Sequence, residues 1–203
     1  MSKLVLITGA SRGIGAATAL LAARQGYAVA VNYSANSLAA DEVVRKIREG
    51  GGTAITVQAD VADEAQVLAM FEKVDAKLGR LTALVNNAGV VDRTERVDGM
   101  SVARLKRMFD INVIGTMVCA REAVKRMSTR YGGAGGAIVN VSSVAARLGA
   151  PAQYVDYAAA KGAVDVFTGP LISVFICHRS SFSLSEGSTP VYVRTELERR
   201  ICP

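Results

Sequence analysis

The first 26 residues read as a strand, a tight turn and a helix in immediate succession, and this order restricts the folds open to the chain. Leu4-Val5-Leu6-Ile7 is a short apolar run typical of a buried strand. Residues 8–15 then read TGASRGIG, and an Ala- and Leu-rich helical pattern follows as far as Gly26. Glycines in such a turn let the backbone approach a pyrophosphate, and the N-terminus of the helix attracts the anion. Because the spacing is Gly-x-x-x-Gly-x-Gly, an ordinary strand-to-helix loop is the alternative interpretation.

The same alternation continues through the first 168 residues. Strands are predicted near 3–8, 27–33, 53–59, 81–86 and 136–142, and helices near 13–25, 36–50, 63–79, 100–130 and 154–168. Strands that alternate with helices form right-handed crossover units around a parallel sheet. We therefore expect an α/β fold with a doubly wound parallel sheet between two helical layers. Asn36 or Ser37 is expected to cap the second helix, and the glycines at 50–52 to end it.

A tyrosine and a lysine four residues apart follow the last predicted strand. Tyr157 and Lys161 would lie on one face of a helix, so the ammonium sits one turn along from the phenol. Phenols titrate near ~10 in water, and a neighbouring cation stabilises the phenolate. Tyr157 is thus a candidate for proton transfer near neutral pH. The alternative interpretation is a solvated surface pair.

Two further strands end in polar residues. The run Ala83-Leu84-Val85 leads into Asn86-Asn87-Ala88-Gly89, and residues 137–141 lead into Ser142-Ser143. Open α/β sheets bind ligands at the carboxyl ends of their strands, so these side chains are candidates for a site. A plain strand-terminating turn is the alternative at residues 86–89.

Five motifs in order, TGASRGIG, NNAG, Asn112, SS and YAAAK, make residues 1 to about 168 similar to the short-chain dehydrogenase/reductase family. The resemblance implies a Rossmann-type, three-layer α/β/α domain over 1–168. It implies that Asn112 holds a water linking Lys161 to solvent, and that Ser143 hydrogen-bonds the substrate carbonyl. Tyr157 would pass the proton, and Lys161 would bind the nicotinamide ribose. The implied cofactor-binding residues are Gly9, Ser11, Arg12, Gly13, Ile14, Gly15, Asn32, Ser34, Asp60, Val61, Asn87, Ala88, Gly89, Tyr157 and Lys161.

Two neighbours compete with the proposed catalytic residues. The family alignment favours Ser143 over Ser142, since adjacent strand residues face opposite ways. Tyr154 has Ala158 rather than a lysine four residues on, so packing or substrate contact is its expected role.

The end of the second strand bears on the choice of cofactor. An acidic residue there would bind both ribose hydroxyls of NAD and repel a 2′-phosphate. Here the strand ends Val31-Asn32-Tyr33-Ser34, and the first acid is Asp41. Arg12 could pair with the phosphate, with hydrogen bonds from Asn32 and Ser34. NADP is therefore expected in preference to NAD, with Asp60 and Val61 near the adenine.

Composition narrows the classes of partner. The net charge is +6, carried by residues that we expect on solvated helix faces without interleaved aromatics, so no nucleic-acid site is predicted. These carriers include Arg45, Lys46, Arg48, Arg104, Lys106, Arg107, Arg121, Lys125 and Arg126. Cys119, Cys177 and Cys202 show neither metal nor disulfide spacing, and no metal is expected. With no apolar run long enough for a signal peptide or a membrane span, we expect a cytoplasmic protein without membrane contact.

After Thr168 the resemblance fades. Gly169-Pro170 is expected to break the last helix, a short apolar run covers 171–177, and a serine-rich stretch extends from His178 to Thr189. Residues 169–203 are therefore predicted to be an atypical segment that leaves the sheet incomplete. A frameshifted or truncated reading frame and a natural divergent terminus are both consistent with this. His178 beside Cys177 is not expected to bind a metal.

The resulting prediction is an NADP-dependent oxidoreductase that interconverts a secondary alcohol and a ketone or aldehyde. Its partner would be a small carbonyl or alcohol substrate. The loop at 147–151 and residues 154–156 resemble those of 3-oxoacyl reductases and sugar dehydrogenases. A homo-oligomer is implied by the family, but doubtful for a chain with this terminus. The alternatives are a catalytically dead dinucleotide-binding fragment and a non-enzymatic interaction protein on the same scaffold.

Overall fold

Five parallel strands form one sheet in the structure, a computed structural model that describes residues 3–171. The strands are β1 (Lys3–Ile7), β2 (Tyr27–Tyr33), β3 (Ala54–Gln58), β4 (Ala83–Asn86) and β5 (Ala137–Asn140). Their order across the sheet is β3-β2-β1-β4-β5, and every neighbouring pair is parallel. The chain runs outward from β1 to β3 and then returns to the other side of β1. The predicted doubly wound α/β fold is thereby confirmed.

Helices connect the strands and cover both faces of the sheet. They are α1 (Gly13–Arg24), α2 (Ser37–Glu49), α3 (Glu64–Leu78), α4 (Val102–Phe109), α5 (Gly115–Met127), the single turn α6 (Ala145–Leu148) and α7 (Val155–Leu171). Asn36 caps α2, Asp63 caps α3 and Ser101 caps α4, each by accepting a backbone N–H with its side chain. Glycine at 50 ends α2 as predicted.

The apolar run of β1 supplies both halves of the core. Leu4 and Leu6 lie in one buried cluster with Phe71 of α3, whereas Val5 and Ile7 lie in a second cluster. The second cluster contains residues of α1 and α2, including Ala19, Ala22, Val43, Val44 and Ile47. Successive side chains of a strand point to opposite faces, so an uninterrupted apolar strand fits only a sheet covered on both sides.

The prediction of one continuous helix at 100–130 is wrong. A π-helical turn, Asp110–Ile114, separates α4 from α5, and the Gly115 N–H bonds to the carbonyl of Asp110, five residues back. Such turns insert an extra residue into a helix and are frequent at functional sites. Here the inserted turn contains Asn112.

The predicted helix break at Gly169-Pro170 is also wrong, because α7 includes both residues. Thr168 in the same turn is anchored to the sheet through Asn140, whose Nδ2 lies 3.0 Å from the Thr168 hydroxyl. The predictions for residues 172–203, including Cys177, His178, Cys202 and an incomplete sheet, lie outside the described residues.

We expect Phe71→Ala to lower the free energy of unfolding by about 3–5 kcal/mol, since truncating a buried phenylalanine leaves a cavity. Phe71 is fully buried in α3, and its ring lies 4.8 Å from the Arg126 guanidinium. Leu38→Ala is the control, because that side chain is 81% exposed, and its effect should stay within about 0.5 kcal/mol. Urea denaturation of the two variants checks this, and equal losses would contradict the assignment of Phe71 to the core.

Candidate active site

Three strand ends and one helix surround a pocket at the carboxyl edge of the sheet. Since β1, β4 and β5 are neighbours or next neighbours, the segments that follow them converge there. The pocket has a volume of about 210 Å³. Its walls comprise Ile14, Asn87, Gly89, Val90, Val91, Val141, Ser142, Ser143, Tyr157 and Lys161.

The glycine turn after β1 is fastened to the end of β4 by Thr8. The Thr8 hydroxyl oxygen accepts the backbone N–H groups of Asn87 and Ala88, each at 3.0 Å. In return, Asn87 Nδ2 donates to the carbonyls of Thr8 and Gly9 at 2.9 and 3.1 Å. Four hydrogen bonds thus join two segments that are about 80 residues apart in the sequence.

Two glycines make this close approach possible. A Cβ on Gly9 would lie 2.9 Å from Ala88 Cα, and Gly9 has a φ of +60°. A Cβ on Gly15 would lie 2.5 Å from Asn87 Nδ2. Contacts this short against backbone or a hydrogen-bonded amide cannot be relieved cheaply, so both positions require glycine.

The N-terminus of α1 is open toward solvent. It has no side-chain cap and no acidic residue in its first turn, whereas α2, α3 and α4 are capped by side chains. A Cβ on Gly13 would meet nothing within 4 Å. The first N–H groups of a helix lack intrahelical acceptors and attract phosphate. Together with the exposed Arg12 and the half-buried Ser11, this cradle fits the diphosphate of NAD(P).

Asn32 lies beneath the glycine turn rather than at its surface. Its side chain is buried, its Oδ1 accepts the Gly9 N–H at 3.0 Å, and its Nδ2 donates to the carbonyls of Val57 and Ala59 at 3.2 and 3.1 Å. These bonds give Asn32 a part in positioning the turn. Ser34 and Asp60 are exposed at the ends of β2 and β3, and Val61 is buried.

Lys161 is buried next to Tyr157. Its Nζ donates to the carbonyl of Val141 at 2.7 Å and lies 5.8 Å from the centroid of the Tyr157 ring. Burial lowers the pKa of Lys161 to about 8, although Asp165 opposes this shift. Between about pH 8 and 10.5 the unfolded chain therefore binds more protons than the folded chain. The free energy of unfolding rises with pH through that window, because the cost of burying the charge disappears.

Asn112 is held inside the π-helical turn by its own side chain. It is fully buried, its Oδ1 accepts the Val90 N–H at 3.1 Å, and its Nδ2 donates to the carbonyls of Val90 and Met108 at 2.9 and 3.0 Å. A Cβ on Gly89 would lie 2.6 Å from Asn112 Oδ1 and 3.7 Å from Lys161 Nζ. A side chain at position 89 would therefore crowd both groups, and glycine leaves that space open.

The two serines lie beyond β5, which ends at Asn140, two residues earlier than predicted. Ser142 is buried and its hydroxyl lies 3.5 Å from the Lys161 carbonyl. The Ser143 hydroxyl oxygen accepts the Ala145 N–H at 3.2 Å, which leaves its own proton for a substrate. Strand alternation does not apply at this point, so it gives no reason to prefer Ser143. Tyr154 accepts the Thr94 hydroxyl at 3.0 Å.

Sequence reasoning missed three contributors to this region. Thr8 carries no mark other than its place directly before the glycine turn. The carbonyl of Val141 binds Lys161, and a backbone group has no sequence signature. Arg104 was expected on a solvated face, yet its side chain is 9% exposed and paired with Asp156. Asp156, the acidic residue directly before Tyr157, was the feature of the sequence that could have indicated a buried partner for a basic residue.

Two kinds of feature are absent from the described part of the chain. Within residues 3–171, no three His, Cys, Asp or Glu side chains come together as they would around a metal ion. No helix in that range is both long and apolar enough to cross a membrane.

Comparison with known proteins agrees with this geometry. A family model described as short chain dehydrogenase matches residues 3–174. The chain is 55% identical over 165 residues to the uncharacterized oxidoreductase YgfF of Escherichia coli (strain K12), an alignment that covers 81% of this chain and 67% of that protein. It is 41% identical over 167 residues to a 3-oxoacyl-[acyl-carrier-protein] reductase of Synechocystis, covering 82% and 66%.

A solved structure gives the same result. A mutant short-chain dehydrogenase/reductase of Serratia marcescens superposes with a TM-score of 0.79 at 30% identity, covering 86% of this chain and 69% of that one. The matched region thus spans about two thirds of each of these proteins. The chain belongs to the short-chain dehydrogenase family of NAD(P)-binding oxidoreductases.

Proposed function

We propose that this protein is an NADP-dependent oxidoreductase that interconverts a secondary alcohol and a ketone or aldehyde. The observation that carries the proposal is the buried Lys161 ammonium beside Tyr157, in a pocket that also opens onto Ser143. A solvated surface pair would leave Lys161 exposed, whereas here it is 5% exposed. Since the residues needed for turnover share one pocket, an inactive fragment is the less favoured function.

In the direction of reduction, the hydride for the carbonyl carbon would come from NADPH held by the glycine turn and Lys161. The Tyr157 hydroxyl donates its proton to the carbonyl oxygen, on which negative charge develops. The Ser143 hydroxyl donates a hydrogen bond to the same oxygen and fixes its position. In oxidation, Tyr157 accepts the alcohol proton.

Lys161 and Asn112 support this transfer. One donor of the Lys161 ammonium is used by the Val141 carbonyl, which leaves two for ribose hydroxyls. Asn112, whose side chain lies next to Gly89, is proposed to hold the water that resupplies protons from solvent.

The preference for NADP rests on the charges around the 2′ position. The last two residues of β2, Asn32 and Tyr33, are not acidic, and Arg12 is exposed at the glycine turn. Arg12 is proposed to pair with the 2′-phosphate and Ser34 to hydrogen-bond it, with Asp60 and Val61 beside the adenine. Asn32 is proposed to support cofactor binding indirectly, because its side chain holds the glycine turn in position.

The substrate is proposed to be a small 3-oxoacyl compound. Val90 and Val91 add apolar surface to the pocket that Ser143 and Tyr157 also line. Such surface suits the hydrocarbon part of the substrate, while the two hydroxyls bind its carbonyl. The name of the Synechocystis relative points to the same class.

Replacing Tyr157 by phenylalanine removes the proton donor and leaves the ring in place. We expect turnover of a 3-oxoester with NADPH to fall at least ~10²-fold, the usual size of a general acid–base contribution. NADPH affinity should stay within about twofold. Tyr131→Phe is the matched control, because Tyr131 is 55% exposed outside the pocket. Near-full turnover by purified Tyr157→Phe protein would exclude this role.

Arg12→Gln tests the cofactor preference more cleanly than a change at Asn32. An aspartate at 32 would turn a carboxylate oxygen toward the carbonyls of Val57 and Ala59. Losing one charged hydrogen bond costs about 1.5–3 kcal/mol, so Kd for NADPH should rise by about 10- to 100-fold while Kd for NADH hardly changes. Arg24→Gln, at the other end of α1, is the control. Equal losses for both cofactors, or a wild type that prefers NADH, would contradict NADP use.

The lowered pKa of Lys161 predicts a pH dependence of cofactor binding. The side chain is charged below about pH 8 and neutral above it. A neutral amine makes weaker hydrogen bonds than an ammonium, by about 1 kcal/mol, so NADPH affinity should fall about fivefold as pH rises from 7 to 9. Fluorescence titration of NADPH measures this. In Lys161→Met the dependence should disappear, and an unchanged profile there would assign the titration to another group.

A further inference from the structure

A buried ion pair joins α4 to the first turn of α7. Arg104 Nε lies 2.8 Å from Asp156 Oδ2, and Arg104 Nη2 lies 3.3 Å from Asp156 Oδ1. The side chain of Asp156 is 0% exposed and that of Arg104 is 9% exposed. A two-pronged contact of this kind fixes the orientation of both groups, not merely their separation. Asp156 directly precedes Tyr157, so the pair acts at the base of the proposed proton donor.

Arg104 also holds the segment that follows β4. Its Nη1 donates to the carbonyl of Arg93 at 2.8 Å and lies 3.8 Å from Glu95 Oε2. The same segment meets the residues before α7, because Glu95 N–H donates to the Gln153 carbonyl at 3.0 Å. Arg104 therefore contacts both the post-β4 segment and α7.

The next turn of α4 connects Arg104 to the surroundings of Tyr157. Arg104 and Met108 are four residues apart on α4, so they share a face. Met108 is buried in a cluster with Ala160, and Tyr157 packs against that cluster. In the π-helical turn that follows α4, Asn112 Nδ2 donates to the Met108 carbonyl at 3.0 Å. One face of α4 thus contacts the start of α7 through Arg104 and the surroundings of Tyr157 through Met108.

The two segments that Arg104 connects both contribute to the lining of the pocket. Val90 and Val91, on the segment that leads to Arg93, line it together with Tyr157, which follows Asp156. Burial alone would raise the pKa of Asp156, but the Arg104 guanidinium and backbone N–H groups hold it below its usual value. The pair therefore stays ionised and holds the two segments together. The cofactor-side contacts made by Thr8 and Asn87 do not involve it.

We propose that Arg104, through Asp156 and the Arg93 carbonyl, is a positioning residue that sets the distance between Tyr157 and the pocket residues Val90 and Val91. The inference rests on the proposed oxidoreductase function. It assigns Arg104 to substrate recognition and proton transfer, not to cofactor binding. No atom of Arg104 is required to touch the substrate.

The experiment compares Arg104→Gln, Asp156→Asn, the double variant and Arg104→Lys in the full 203-residue chain. The probes are ethyl acetoacetate as a 3-oxoester, NADPH binding followed by its fluorescence, and hydrogen exchange of residues 90–96. We expect the KM for ethyl acetoacetate to rise at least tenfold in both single variants. Kd for NADPH should stay within twofold, and exchange at 90–96 should accelerate at least tenfold. Arg104→Lys should give intermediate values, because it keeps the charge without the two-pronged contact.

Arg45→Gln is the matched control, since Arg45 pairs with Glu42 and Glu49 on the exposed face of α2. The double variant leaves no unpaired buried charge, so it tests the proposal should a single variant fail to fold. Unchanged KM and unchanged exchange would overturn the proposal, as would NADPH affinity that falls in parallel with KM. A wild type that binds NADPH without turnover would refute the oxidoreductase function alone, because hydrogen exchange would still decide the role of Arg104.

Discussion

Burial of the Lys161 ammonium is the constraint around which the site is built. Removing a charge from water is costly unless hydrogen bonds compensate for it. The Val141 carbonyl provides one such bond, from a strand end to a helix that the chain reaches 14 residues after Val141. Gly89 contributes no side chain, which leaves open the space next to the ammonium and Asn112. Lys161 lines the pocket, so its charge is available for the proposed cofactor binding and proton transfer.

The elements that could be predicted from the sequence are those set by local patterns. Apolar strands, helix periodicity and glycine turns predicted all five strands and the sheet type, since each depends on residues that are near neighbours. The π-helical turn at Asp110–Ile114 was not predictable in this way, because one extra residue hardly disturbs an amphipathic pattern. Arg104 was placed on a solvated face for a similar reason: its partner Asp156 is 52 residues away.

Asn32 illustrates how far residue type alone can be taken. Its position at the end of β2 correctly marks the neighbourhood of the glycine turn, and its lack of charge bears on the cofactor. The direction of its amide, however, is set by the Gly9 N–H and by two carbonyls near the end of β3. An unsatisfied buried amide would cost more than a hydrogen bond to a ligand returns. Its interactions with the protein therefore take precedence.

The helix that carries Tyr157 and Lys161 is secured at both ends and in the middle by polar contacts. Asp156 binds Arg104 at its start, Lys161 binds Val141 in its centre, and Thr168 accepts from Asn140 in its last turns. Asn140 in turn accepts from Asn86 Nδ2 at 2.9 Å, so the chain of bonds crosses from α7 through β5 to β4. Apolar packing alone tolerates small shifts of a helix along its axis, whereas directional hydrogen bonds at three levels do not. Proton transfer requires reacting atoms to be placed precisely. The three polar contacts fix the position of α7 on the open sheet to that precision.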